Sequence, residues 1–293
     1  MRSLIAQSPP ETPWTWEPRP DVWLLILAIA AGYVWSTTRL RNNLERPPPP
    51  PARAEKTRFF IGLQLLWLAV DWPLDRLGDD FLFSAHMVQF LLITMVAVPL
   101  VVSGIPGWLF AELTLPLAPV LRLLTRAPIA LATFQLVLVG THLPAVVELY
   151  SSSSVVHLGL HALWVLSAGL FWLPILGKEP LVSPLVPAGK VAYLIAATVL
   201  PTVPASFLTW ATTPLYDSYA EAPRVWGLSP TDDLQLAGLF MKLGGGLILW
   251  GFIAWVFVSW TAEEASRDRR RRSSRQSNDA SGRGPGIVEK SDA

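Results

Sequence analysis

The chain has 293 residues, of which 52% are hydrophobic and 15% charged, with a net charge of +1 and a mean hydropathy of +0.40. This balance excludes an ordinary water-soluble globule. The absence of cysteine excludes a disulfide framework, thiolate zinc, an iron–sulfur cluster and a cysteine nucleophile, so any site chemistry must use His, Met, Asp, Glu or Tyr.

A helix that crosses the hydrocarbon core needs about 20 apolar residues. Residues 1–21 contain five prolines and scattered charge but no apolar run, which reads as an external segment and not as a signal peptide. Seven apolar stretches follow, at Val22–Thr38, Phe59–Leu74, Phe81–Val102, Pro128–Leu149, Val155–Leu176, Val191–Ala211 and Leu234–Trp260. The expected fold is an all-α, polytopic membrane helix bundle of about seven transmembrane helices over residues 22–260. The second stretch is short and carries Asp71, and the last holds Gly244, Gly245 and Gly246 near its middle, which permits close contact or a bend.

Trp108–Leu124 reads either as an eighth span or as an interfacial helix, because it holds Glu112, Pro116, Pro119 and Arg122. Charge decides between these readings. The loop 39–58 carries six Lys/Arg and the tail after Trp260 carries eight, so both belong in the cytoplasm. Seven spans satisfy this and place 18 Lys/Arg inside against four outside, with the N-terminus outside and the C-terminus cytoplasmic. The run Pro47–Pro51 should form a polyproline II spacer, and residues 261–293 read as a disordered basic tail.

On this topology His86, His142, His157 and His161 all fall in the outer half of the bundle. His157 and His161 are four residues apart, which stacks their imidazoles on one helix face at a spacing able to chelate one metal ion. The helix from Phe81 should then pack on the helix from Val155 with His86 facing that pair. Met241 falls at a similar depth, and a thioether beside imidazoles suits Cu(I) better than magnesium or calcium. Met87 is the weaker thioether candidate, because it points about 100° away from His86. The bland alternative is that the histidines only hydrogen-bond between helices and that Met241 fills the core.

Asp75, Asp79, Asp80, Glu148, Asp217, Glu221, Asp232 and Asp233 also lie near the outer surface, where they could attract a cation, dock a basic surface or cap helices. Asp232 follows Ser229-Pro230-Thr231, a helix-start pattern. Asp71 needs a partner inside its span, and Lys242, buried in the last stretch by the same count, is one candidate counter-ion. No phosphate-binding glycine loop, G-x-S-x-G elbow or HExxH is present, and the basic tail has no interleaved aromatics. The chain therefore reads as no enzyme and no nucleic-acid binder.

Phe83-Ser-Ala-His-Met-Val-Gln89, Ala97-Val-Pro-Leu100 and Gly104-Ile-Pro106 resemble the CtaG family of cytochrome c oxidase assembly factors. Asp71-Trp-Pro-Leu-Asp75, Thr141-His-Leu-Pro144, the His157–His161 pair, Phe171-Trp-Leu-Pro174, Pro214-Leu-Tyr-Asp-Ser-Tyr219 and Asp232–Gly238 follow the family's order, and the resemblance covers about Arg58 to Trp260. It implies a multi-pass protein of the bacterial plasma (inner) membrane that works with cytochrome c oxidase subunits and helps copper reach an outward-facing centre. The candidate metal residues, grouped by depth and ligand chemistry, are His86, His142, His157, His161 and Met241. The family pattern often has a second His four residues after the first. Here that position is Phe90, which removes one ligand. Two other readings stay open: a b-type haem carrier using His142 with His161 or His86 with His157, and a metal-free scaffold for oxidase subunits.

Overall fold

The computed structural model describes residues 12–178 and 180–282, and among these the only β pairing is an isolated bridge between Lys178 and Val182. Helix α1 (Pro20–Asn43) widens into a π turn at Ser36–Leu40 and leads through the extended prolines to α2 (Arg53–Ala69) and the short α3 (Leu74–Asp80). Next come α4 (Phe83–Gly104), α5 (Gly107–Leu124), α6 (Ala127–Thr141) and α7 (Pro144–Ser151). Helices α8 (Ser154–Leu176), α9 (Pro187–Thr209) and α10 (Asp217–Glu221) precede α11, which joins Pro230–Leu239, a π turn at Phe240–Gly244 and Gly245–Gly282.

Helices α1, α4, α5, α8, α9 and α11 have the length and apolarity of membrane spans, and α6 with α7, bent by 72°, makes a seventh. By length and apolarity alone the count is six to seven, in line with the expected seven, and it takes in α5 while α2 falls short. The second expected span, Phe59–Leu74, stops at Ala69, and at 17 residues α2 is about 25 Å long. Pro73 has no N–H to return to the Ala69 carbonyl, which interrupts the ladder before Leu74. Gly107–Leu124 instead reaches span length, although a 3₁₀ turn at Leu115–Leu117 interrupts it and Leu113, Leu115, Leu117 and Val120 are exposed. Past Trp260, α11 continues as helix to Gly282, where an irregular tail was expected; the expectation for residues 283–293 lies outside the described residues.

The two most intimate contacts explain how the bundle closes. Gly62 and Gly104 let α2 and α4 touch backbone to backbone: a Cβ on Gly62 would lie 2.7 Å from the Val101 nitrogen, and one on Gly104 would lie 2.4 Å from the Phe59 nitrogen. Tyr33 of α1 seals this contact by stacking on Phe59 at 3.8 Å and donating to the Gly104 carbonyl at 3.1 Å. Within α4, Pro99 has no N–H to return to the preceding turn, and the ladder widens into a π turn at Leu92–Ala97. Trp172 of α8 then donates its indole N–H to the Thr94 carbonyl at 2.8 Å, fixing α8 against that turn.

The start of α4 is held by a carboxylate from another helix. Asp233, 2% exposed, accepts from the Phe83 and Ser84 backbone nitrogens at 2.7 and 3.1 Å and from the Ser84 hydroxyl. Its neighbour Asp232 serves its own helix, where Ser229 Oγ accepts from the Asp232 nitrogen at 3.1 Å. Asp233→Ala would strand two buried N–H groups and should cost about 2–4 kcal/mol, with Asp233→Asn costing less because one acceptor remains. Scanning fluorimetry on intrinsic tryptophan in detergent should show the larger fall in melting temperature for the alanine variant. Equal midpoints for both variants and the parent would exclude this cap as a stabilising contact.

Candidate functional site

The N-terminal ends of α1, α4 and α8 meet at α3. Upstream of α3, Asp71 accepts from the indoles of Trp23 (2.7 Å) and Trp67 (2.8 Å) and from the Trp72 nitrogen (2.8 Å). Its partners are therefore tryptophans, which corrects the candidate pairing with Lys242. That lysine is exposed and lines a separate cavity. Arg76, five residues after Asp71, is paired with Glu17.

One helical spacing sets Asp75 beside Asp79, just as it sets His157 beside His161 on α8, so two i,i+4 pairs face each other. Asp75 is 5% exposed, binds Arg19 Nη1 at 2.6 Å and accepts from Gln89 Nε2 at 2.9 Å. Ligand-capable atoms of Asp75, His157 and His161 all lie within 4.8 Å of one another. Asp79 Oδ2 approaches His157 Nε2 at 3.1 Å, and its other oxygen stands 3.7 Å from His86 Nδ1. Burial raises the Asp79 carboxyl above the usual carboxylate range, and neighbouring His157 opposes the shift.

His86 is 1% exposed, stacks on Tyr150 at 5.3 Å and shares a 3.2 Å hydrogen bond between its Nε2 and the Tyr150 hydroxyl. Trp164 contacts both His86 and His161, with ring centroids 5.1 and 5.3 Å away. Four buried atoms of this cluster have no hydrogen-bond partner: His86 Nδ1, Asp79 Oδ1, His157 Nε2 and His161 Nε2. The 3.1 Å approach of His157 to Asp79 lacks the direction of a hydrogen bond. The group opens on a cavity of about 710 Å³ whose polar wall includes Arg19, Asp79, His157 and His161 and whose apolar wall includes Ile26, Leu66 and Val165.

The five residues grouped from the sequence therefore occupy three places. His86, His157 and His161 come together. His142 sits at the bend between α6 and α7, with Nε2 3.3 Å from Met87 Sδ. Met241 is 4% exposed and lines a small cavity with Phe90, Met95 and Phe134, outside the cluster. Asp75 and Asp79, read before as general cation attractors, are direct neighbours of the imidazoles. Their signal was the spacing they share with the histidine pair.

Membrane-length helices that bury imidazoles and carboxylates together around one open cavity define a multi-pass membrane protein with a polar centre near one end of its bundle. The family model described as cytochrome c oxidase caa3 assembly factor (Caa3_CtaG) matches residues 31–263, and the chain belongs to that family. No curated protein and no solved structure matches it.

The Tyr150 hydroxyl is the hydrogen-bond partner of His86 Nε2. Tyr150→Phe should cost about 1–3 kcal/mol by leaving that nitrogen bare, while the ring still fills its place. Detergent-phase unfolding midpoints would measure the loss, and an unchanged midpoint would show that the hydroxyl contributes nothing net.

Proposed function

We propose that this protein assists assembly of a haem–copper cytochrome c oxidase by holding copper transiently between α3 and α8 and releasing it on the outer side of a bacterial plasma membrane. Membership of an assembly-factor family supports a non-catalytic role in contact with oxidase components. The observation that carries the copper reading is the unpartnered state of His157 Nε2 and His161 Nε2, because buried polar atoms normally find hydrogen bonds. A cation bound by both would satisfy them, with Asp75 or Asp79 supplying a carboxylate. Imidazoles suit copper better than magnesium or calcium, and a set without thiolate favours release over retention.

The residues divide the work. His157 and His161 bind the copper cargo, Asp79 neutralises its charge, and His86 and Tyr150 hold the wall behind Asp79. The cavity exceeds the size of one ion and leaves room for a recipient side chain to approach.

The proposed orientation places this centre toward the outside; it takes α2, about 25 Å long, as a crossing helix with α1, α4, α6–α7, α8, α9 and α11, and lays α5 in the interface although α5 has span length. The 18-to-4 division of Lys/Arg supports it, as does the interrupted, exposed course of α5. A single cysteine at Ser274 should resist impermeant maleimide in intact cells and react after permeabilisation. Labelling in intact cells would reverse the orientation.

Replacing His157 and His161 together by Ala should reduce copper-loaded oxidase at limiting copper while the protein stays inserted and abundant, since neither Nε2 makes a hydrogen bond that the variant would lose. Added copper should restore the oxidase by mass action. A defect indifferent to copper would favour the scaffold reading. Full activity at limiting copper would remove the pair from the mechanism.

A further inference from the structure

We infer that His142 and Met87 form a second site, distinct from the His157–His161 face and selective for a soft monovalent cation, Cu(I). The inference extends the copper reading but rests on different residues. His142 Nδ1 lies 2.6 Å from the Leu138 carbonyl oxygen. A carbonyl only accepts, so Nδ1 carries the proton and neutral imidazole leaves Nε2 bare. That bare nitrogen faces Met87 Sδ at 3.3 Å, and a thioether has no proton to offer it. Two lone-pair donors thus confront each other in a buried place, Met87 being 0% and His142 7% exposed.

A doubly protonated ring would relieve this contact only by burying a cation, and no ion pair to His142 exists among the described residues. A metal ion between the two atoms relieves it directly. With bonds of about 2.0 Å to nitrogen and 2.3 Å to sulfur, lengths typical of a d¹⁰ ion, a 3.3 Å separation subtends about 100°. The flexible Met87 side chain can widen that angle toward linear coordination.

The surroundings select for charge and softness. Phe83 and Phe90 set their rings edgewise to His142, with centroids 6.3 and 5.7 Å away, and supply no oxygen ligand. A divalent ion would bury twice the charge with neutral ligands alone, whereas Cu(I) accepts thioether and imidazole. His142 follows the last residue of α6, at the bend where Leu143 is 52% exposed.

The test is anaerobic loading of the full-length protein in detergent with Cu(I), read by copper X-ray absorption and by stoichiometry. Because the chain has no cysteine, any protein sulfur bound to copper must come from methionine. The His157→Ala/His161→Ala protein should keep about one Cu(I) with a sulfur neighbour, and Met87→Leu should lose both that sulfur signal and one equivalent. Met241→Leu should retain them. If Met87→Leu misfolds, selenomethionine labelling of the Met95→Leu/Met241→Leu protein supplies the alternative: selenium then stands only at Met87 and the terminal Met1, and a selenium neighbour is expected at copper. Absence of sulfur or selenium in proteins with Met87, or its persistence in folded Met87→Leu, overturns the second site. Sulfur-bound copper without any copper at His157 and His161 would instead sink the proposed outer site and leave this one standing.

Discussion

Hydrocarbon offers no hydrogen bonds, so every polar side chain within a membrane bundle must be satisfied by the rest of the chain. Most of this protein obeys that constraint by cross-helix pairing. Asp71 is held by two indoles and a backbone nitrogen, Asp233 accepts from the start of α4, and Tyr193 donates to the Phe171 carbonyl. These contacts join helices distant in sequence and fix their rotation. Among the described residues nine buried side-chain atoms have no hydrogen-bond partner, and the four on Asp79, His86, His157 and His161 gather in one place beside open space.

The architecture makes this gathering possible through its irregularities. Had α2 continued as helix past Ala69, Asp75 and Asp79 would have followed its axis; instead the chain turns, and α3 presents both carboxylates to α8. The bend after Thr141 likewise turns α7 across the bundle and brings Tyr150 over His86. The regular stretches of helix supply the apolar packing, with Trp164, Phe171 and Trp172 almost wholly buried. The breaks between them aim the polar groups.

This division explains what could be read from the sequence. Helical class, approximate span number and the His157–His161 face follow from apolar length and four-residue spacing, which are local properties. The grouping of His86 with that pair followed from its depth. Met241 did not join the cluster, because depth along a helix says nothing about rotation, and a π turn at Phe240–Gly244 alters rotation at that very residue. The contact between His142 and Met87 is illegible for the same reason: sequence relates Met87 to His86, on its own helix, while its partner stands on another. Asp71 next to tryptophans is a further case, since indoles look like core in a sequence and act as hydrogen-bond donors in the fold.

Arg19, just before α1, makes its 2.6 Å ion pair with Asp75, one of the three residues whose ligand atoms converge. The cluster thus carries a tethered counter-ion of its own. For a cation drawing on Asp75, occupancy is an exchange reaction: the incoming ion competes with a guanidinium whose local concentration is fixed by a covalent leash, and its departure lets the leash re-close. Such a centre resists filling by dilute, weakly bound ions and empties without leaving a bare carboxylate behind.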